Sequence, residues 1–324
     1  MRMENNEPLI RVEELKKYFP VTKGLVMQRV IGNVKAVDDI SFSVRQGECL
    51  GLVGESGCGK STTANLLLGL EIPTAGHIYF QSTEITGLAG KTLLDYRRNI
   101  QAVFQDPFRS LNPRKKIKRI IAEPLVVHKT GTRKEISNRV FELLELVGLE
   151  TRHAQLFPHE FSGGQRQRIA VARALALNPK AVILDEPVSA LDVSIQAQIL
   201  NLLMDLQKGL NLTYMLISHD LAVVEHASSH IGVMYLGTLV ELASRDELYN
   251  NPAHPYTRAL LESVPVADPE IISQVSLEGE VPSAMNPPEG CRFHPRCADS
   301  KSMCAAEKPD MKEITPRHFV TCHL

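Results

Sequence analysis

The sequence predicts an α/β fold built on a mostly parallel sheet, on three observations. Short apolar runs end in glycine or acid, helical patterns alternate with them, and one run passes through a glycine-rich turn into a helix. "CLGLVG" (49–54), "AVILDE" (181–186) and "YMLISHD" (214–220) are expected as buried strands, each ending in polar residues. In "SIQAQILNLLMDLQKGL" the apolar positions Ile195, Ile199, Leu202, Leu203, Leu206 and Leu210 keep helical spacing. "KEISNRVFELLELVGL" repeats the pattern with Ile136, Val140, Leu143, Leu144 and Val147.

No strand-like run interrupts the region from about Leu93 to Gln165 after "AVFQDP", so it is expected as a helical insertion. Residues 20–34 ("PVTKGLVMQRVIGNV") are expected as a long early loop. From about residue 250 the chain turns proline-rich, and four of the six cysteines fall there. A small, loop-rich appendage closed by something other than a large core is expected.

At 324 residues the chain has room for two or three domains. With 36 Lys+Arg against 37 Asp+Glu, its net charge of −1 gives no reason to expect nucleic acid or an anionic membrane as the main partner. No apolar run approaches bilayer-spanning length, and "MRMENNEPLI" lacks the apolar core of a secretory signal. Cys322 is third from the end, which excludes the four-residue prenylation pattern. A cytosolic protein is expected, reaching any membrane through a partner.

"GLVGESGCGKST" (51–62) contains Gly54-x-x-x-x-Gly59-Lys60-Ser61 between a strand and a helix, the context that a phosphate loop requires. Glycines let successive backbone N–H groups turn inward around a polyphosphate, and the helix N-terminus adds positive potential. Lys60 supplies a charge for the β and γ oxygens, and the Ser61 hydroxyl suits Mg²⁺. Asp185 in "AVILDEP" reaches the strand end, where it can hold Mg²⁺, and Glu186 beyond it is placed to orient or deprotonate a water. Together they predict a Mg²⁺-dependent NTPase.

"FSGGQ" (161–165) matches the "LSGGQ" signature of the ATP-binding cassette (ABC) family, with Phe161 in place of leucine. Gln105 in "VFQDP" resembles the family's Q-loop glutamine, "SALD" (189–192) its D-loop ending in Asp192, and His219 in "ISHD" its switch histidine. Tyr18 in "LKKYFP" lies where the family places an adenine-stacking aromatic, with Phe19 as the alternative. The resemblance implies a cassette fold: a P-loop NTPase core like RecA with an antiparallel β subdomain (1–94 and 166–250), a helical signature subdomain (95–165) and a C-terminal extension (251–324).

It also implies ATP as the nucleotide, held by Tyr18, by the loop Gly54, Glu55, Ser56, Gly57, Cys58, Gly59, Lys60, Ser61 and Thr62, and by Asp185 and Glu186. Gln105 would contact Mg²⁺ or water, and His219 would hold the γ-phosphate. Two cassettes would meet head to tail, with Ser162, Gly163, Gly164, Gln165 and Asp192 serving the partner's ATP.

"NPAHPYTRALLESVP" (251–265), "GCRFHPRC" (290–297) and "QDPFRSLNPRKK" (105–116) resemble the oligopeptide and dipeptide importer branch, in its second, F-type ATPase. That branch implies a second homologous ATPase, two transmembrane permeases and an extracytoplasmic binding protein as partners, at the cytoplasmic face of the cell membrane. Relatives that move nickel complexes or glutathione, and non-transport cassettes, are the alternatives. The basic run "RKKIKR" (114–119) reads as a solvated face.

Cys291, Cys297, Cys304 and Cys322 have five, six and seventeen residues between them. Clustered thiols in a cytosolic chain point to a metal or cluster site rather than disulfides. A four-thiolate cage suits Zn²⁺ or an iron–sulfur cluster. The resemblance favours [4Fe–4S], because some peptide-importer ATPases carry it on matching cysteines.

Overall fold

The expected early loop is largely strand. "PVTK" and "RVIGNV" carry Val21, Thr22, Val30, Ile31 and Val34, β-branched residues that suit a pleated ladder. Strands β1 (Ile10–Lys23) and β2 (Arg29–Val44) pair antiparallel to the end, with Thr22 opposite Val30 and Lys23 opposite Arg29. The computed structural model describes residues 7–23, 29–106, 110–263 and 279–324, so the middle of that expected loop lies outside the described residues.

The chain divides into two units: Met1–Val44, Cys49–Thr86 and Ser218–Leu324 in one, Arg45–Glu48 and Gly87–Ile217 in the other. In the first, β4 (Ala75–Phe80) and β5 (Thr83–Glu84) extend the hairpin into a sheet of order β2-β1-β4-β5. Ile10, Val12, Leu15, Ile40, Phe42 and Ile78 bury one face of it. Strand β3 (Cys49–Val53), buried throughout, runs parallel to β9 (His230–Tyr235). Between them in sequence stand α1 (Lys60–Leu67), which leaves the phosphate loop, and α7 (Leu221–Ala227).

A two-residue turn, Leu236–Gly237, leads from β9 into the antiparallel β10 (Thr238–Ser244). Both turn residues take positive φ, 43° and 81°, the conformation that matches hairpin twist. The C-terminal appendage is more ordered than a loop-rich reading expects. Its β12 (His318–Thr321) pairs with β10, and β11 (Met311–Thr315) pairs with β12.

A buried carboxylate ties that addition down. Glu241 on β10 accepts hydrogen bonds from the Ala253 and His254 amides at 2.8 and 2.9 Å, and meets His318 Nε2 at 2.7 Å. Helices α8 (Arg245–Asn250) and α9 (Pro255–Glu262) lead into the appendage, and α10 (Ser302–Ala306) carries Cys304.

In the second unit β6 (Ile100–Val103), β7 (Ala181–Asp185) and β8 (Thr213–Ile217) run parallel. α2 (Gly90–Asn99) precedes β6, and α3 (Ile117–Val127), α4 (Arg133–Leu146) and α5 (Gly163–Ala174) make the helical region. A reciprocal Thr132–Glu135 cap opens α4, whose Val140, Leu143 and Leu144 are buried. The basic run spends several charges locally, as in the 2.8 Å Lys115–Glu123 ion pair.

α6 (Val193–Leu210) buries Ile199, Leu203 and Leu206 as the spacing predicts. Leu210 does not follow: it is exposed in the last turn, where the helix ends at Asn211 in the left-handed conformation, while Leu200 is inside. Among the described residues no helix is long and apolar enough to cross a membrane.

Candidate functional site

The first unit carries the phosphate loop. β3 ends at Val53, the loop turns through Gly54 and Gly59 at φ 147° and 113°, and α1 begins at Lys60. A Cβ on Gly54 would stand 2.1 Å from the Met234 carbonyl, and one on Gly59 2.2 Å from the Ala36 carbonyl, so both positions exclude side chains. Lys60 Nζ is buried and donates to the Gly54 and Glu55 carbonyls at 2.6 and 3.0 Å. These bonds curve the loop around the ammonium. Ser61 is exposed on the first turn of α1, and Cys58 is buried with its thiol pKa raised by burial.

Glu55 is held on two sides. Its N–H donates to the Tyr256 hydroxyl at 3.0 Å, and its carboxylate accepts two bonds from Arg296, at 2.8 and 3.0 Å. The Glu55 amide, expected in the phosphate cradle, is thus engaged by Tyr256 in this structure.

Tyr18 and Phe19 are neighbours on a strand and face opposite sides. The Tyr18 hydroxyl donates to Asp38 Oδ1 at 2.5 Å, and Arg292 pairs with the other Asp38 oxygen. Burial first, then the Asp38 bond, push the Tyr18 phenol up to about 12. Burial works to raise the Asp38 pKa, but the Tyr18 bond and the Arg292 guanidinium outweigh it and hold the carboxyl below its ordinary value. His219 is exposed just beyond Ser218, and the next residue, Asp220, caps α7 through the Ala222 amide at 2.9 Å.

The second unit carries the acidic pair and the signature. Asp185 ends β7 and Glu186 follows with φ 47°, a left-handed conformation unusual for glutamate. Its N–H donates to the Ile217 carbonyl at 2.9 Å, which fixes the backbone there. The Gln105 side-chain amide donates to the Glu186 carboxylate at 2.6 Å. The bond joins residues that are 81 positions apart in sequence.

Ser162 is the N-cap of α5. It accepts from the Gln165 amide at 3.4 Å, while Gln165 Oε1 accepts from the Ser162 amide at 3.0 Å. Gly164 is buried, and a Cβ there would stand 2.5 Å from Ile195 Cγ2. Its glycine is demanded by packing against α6, a reason that the signature motif does not reveal. Asp192 stands at the N-cap of α6 and is exposed.

Cys291, Cys297, Cys304 and Cys322 line one cavity together with His254, Phe293 and His294. Among the described residues no group of three or more His, Cys, Asp or Glu is arranged to hold a metal ion. Burial raises the Cys291 and Cys297 thiols, and the neighbouring Cys304 and Cys322 raise them further. His254 is buried, its Nδ1 accepts from the Tyr256 amide at 3.0 Å, and its Nε2–H meets no protein acceptor. Four gathered thiols are a donor set of the kind that takes either Zn²⁺ or an iron–sulfur cluster. Cys49 is buried at the start of β3 as a small apolar side chain.

Residues 37–189 match the family model described as ABC transporter, and residues 240–304 match the oligopeptide/dipeptide transporter C-terminal region. The chain belongs to the ATP-binding cassette family of transporter ATPases. It is 54% identical to the oligopeptide transport ATP-binding protein AppF of Bacillus subtilis, over 100% of this chain and 99% of that protein. To the dipeptide transport ATP-binding protein DppF of Escherichia coli it is 47% identical, over 95% and 92%. A solved dimeric cassette, MJ0796 in a post-hydrolysis state bound to ADP and Pi, matches with TM-score 0.64 and 28% identity, over 73% of this chain and 98% of that one.

Proposed function

We propose that this chain hydrolyses ATP to power the import of di- or oligopeptides through a multisubunit transporter. The observation that carries the catalytic part is the Gln105-held carboxylate of Glu186, in a chain that also has a complete phosphate loop. Tyr18 takes the adenine, and Lys60 exchanges its loop carbonyls for the β and γ oxygens. Ser61, Gln105 and Asp185 are the residues that would hold Mg²⁺, whose charge would offset that of the phosphates. Glu186 accepts the proton of the attacking water, and His219 holds the γ-phosphate. Ser162, Gly163, Gly164, Gln165 and Asp192 serve the ATP of the opposing cassette.

The partners are a second homologous ATPase and two transmembrane permeases, with an extracytoplasmic binding protein that delivers the peptide. The chain is then peripheral, at the cytoplasmic face of the membrane. The four C-terminal cysteines hold a [4Fe–4S] cluster, supported by the cavity they line and by the His254 Nε2–H beside it.

The test is reconstitution with those partners in vesicles, followed by peptide uptake and ATP hydrolysis. Peptide-stimulated hydrolysis with uptake is expected; nickel or glutathione uptake in its place would assign a different cargo, and no hydrolysis would remove the ATPase role. Iron and sulfide analysis with the visible thiolate-to-iron band tests the cluster, and zinc in its place would sink it.

A further inference from the structure

A carboxylate inside a phosphate-binding loop is a physical oddity, because the loop works by positive potential. Glu55 is such a carboxylate, one residue past Gly54. Arg296 meets both of its oxygens, and the arginine side chain is only 4% exposed. Arg296 also reaches the Tyr235 hydroxyl at 3.4 Å, and its guanidinium carbon stands 5.8 Å from the Tyr235 ring centre. Buried pairing of this kind fixes a geometry, and loss of one partner leaves an uncompensated charge.

Four residues earlier, Arg292 binds two more parts of the same unit. It pairs with Asp38, the acceptor of the Tyr18 hydroxyl, and it donates to the Leu236 carbonyl. The adjoining Gly237 donates to the Cys58 carbonyl at 2.8 Å and accepts from the Asp38 amide at 2.7 Å. Phe293, 2% exposed, packs against Tyr235 and Tyr256, both ring centres 5.3 Å away. Cys291 precedes Arg292 and Cys297 follows Arg296, so the cysteine cavity sets where this segment lies.

We propose that residues 291–297 are an accessory brace of the nucleotide site, in which Arg296 neutralises and positions Glu55 of the phosphate loop, and Arg292 positions Tyr18 through Asp38. Arg292 and Arg296 are positioning residues: they act through Asp38 and Glu55. The brace rests on the reading that this chain binds ATP. It goes beyond that reading by giving the C-terminal extension a part in nucleotide affinity.

The two arms serve different ends of the ligand, which makes them separable. Binding of Mg·ATP and of Mg·tripolyphosphate to the purified full-length chain is measured by calorimetry, with thermal melting of every variant. Wild type binds ATP and Lys60→Ala loses it if the underlying reading holds; failure of that control overturns the reading itself. Given the control, Arg296→Gln weakens both ligands by about tenfold, the scale of a typical coupling between sites. Glu55→Gln added to Arg296→Gln recovers most of the loss, because the unpaired carboxylate is gone. Arg292→Gln weakens ATP by a similar factor and leaves tripolyphosphate unchanged.

Wild-type affinities in folded Arg296→Gln, or no recovery in the double variant, would overturn the Arg296 arm. Equal loss of both ligands in Arg292→Gln would overturn the Arg292 arm. Should Arg296→Gln fail to fold, Arg296→Lys keeps the charge without the two-pronged bond. It then shows a smaller loss of both ligands, and an unchanged affinity overturns the proposal.

Discussion

Gln105 and Glu186 meet at 2.6 Å, the glutamine amide donating to the carboxylate. A donor on that oxygen holds the carboxylate in place. Glu186→Gln keeps the shape and removes the basicity. Turnover is expected to fall by about 10²–10⁴, the usual worth of a positioned base, while ATP still binds. Steady-state hydrolysis together with nucleotide binding on the same preparation checks this. Near-normal turnover would remove Glu186 from the chemistry.

The Tyr18–Asp38 hydrogen bond predicts two edges of a pH profile. The Tyr18 phenol is raised from 10.0 to about 12. Its contribution to stability is therefore complete below pH 10 and lost as pH rises through 12. Asp38 has the opposite sign: its pKa is lowered from 3.8, so its contribution is complete above pH 3.8 and lost as pH falls through the lower folded value. Between these limits the bond is indifferent to pH. Ultraviolet titration of wild type minus Tyr18→Phe should show a phenol ionising near 12, and Asp38→Asn should move that step down towards the ordinary tyrosine value. An ordinary tyrosine step in the wild-type difference curve would count against the bond.

Glu241 is fully buried with His318 Nε2 at 2.7 Å and two backbone donors on its oxygens. Glu241→Ala leaves those donors without an acceptor in a dry environment. The expected cost is about 3–5 kcal/mol, the range for breaking a buried pair by removing one partner. Chemical denaturation of wild type and variant measures it. Because β12 adds to β10 beside this cluster, the C-terminal strands should also become the first site of proteolysis. A variant as stable as wild type would mean that the cluster contributes specificity alone.

Much of this was legible in residue order, and the reason is local. The strands that lead to Gly54, Asp185 and His219 announce themselves because fully buried strands must be apolar and must end near the polar groups they present. α6 and α4 follow from spacing, since one face of each meets the core. The β1–β2 extension was hidden because Gly24 and Gly32 interrupt the β-branched pattern and suggest a loop. Arg296 on Glu55 and Arg292 on Asp38 join positions 241 and 254 apart in sequence, and no local pattern encodes such a pairing. One signal was available: an acid in a phosphate loop requires a cation, and two arginines flanked by cysteines were candidates.

The signature stretch gives the last prediction, because its residues do structural work as well as what the family resemblance implies. Gly164 lies under Ile195, so a bulky substitution there damages the packing of α5 on α6 before it tests any contact with a neighbour's ATP. Overpacking of this kind costs roughly 1–3 kcal/mol. Gly164→Ala should therefore lower the melting temperature, and Ile195→Ala should restore it. Ser162 offers the cleaner test, since it is exposed and caps α5. Aspartate caps as well as serine and suits the positive helix end, so Ser162→Asp keeps the helix. The same carboxylate would repel a γ-phosphate presented by an opposing cassette. In a Glu186→Gln background, where ATP is not turned over, Ser162→Asp should melt no lower than its parent. It should bind ATP normally and fail to pair on ATP addition, as read by size-exclusion chromatography with the second ATPase. Pairing equal to that of the parent would show that Ser162 caps a helix and does nothing for the neighbouring site.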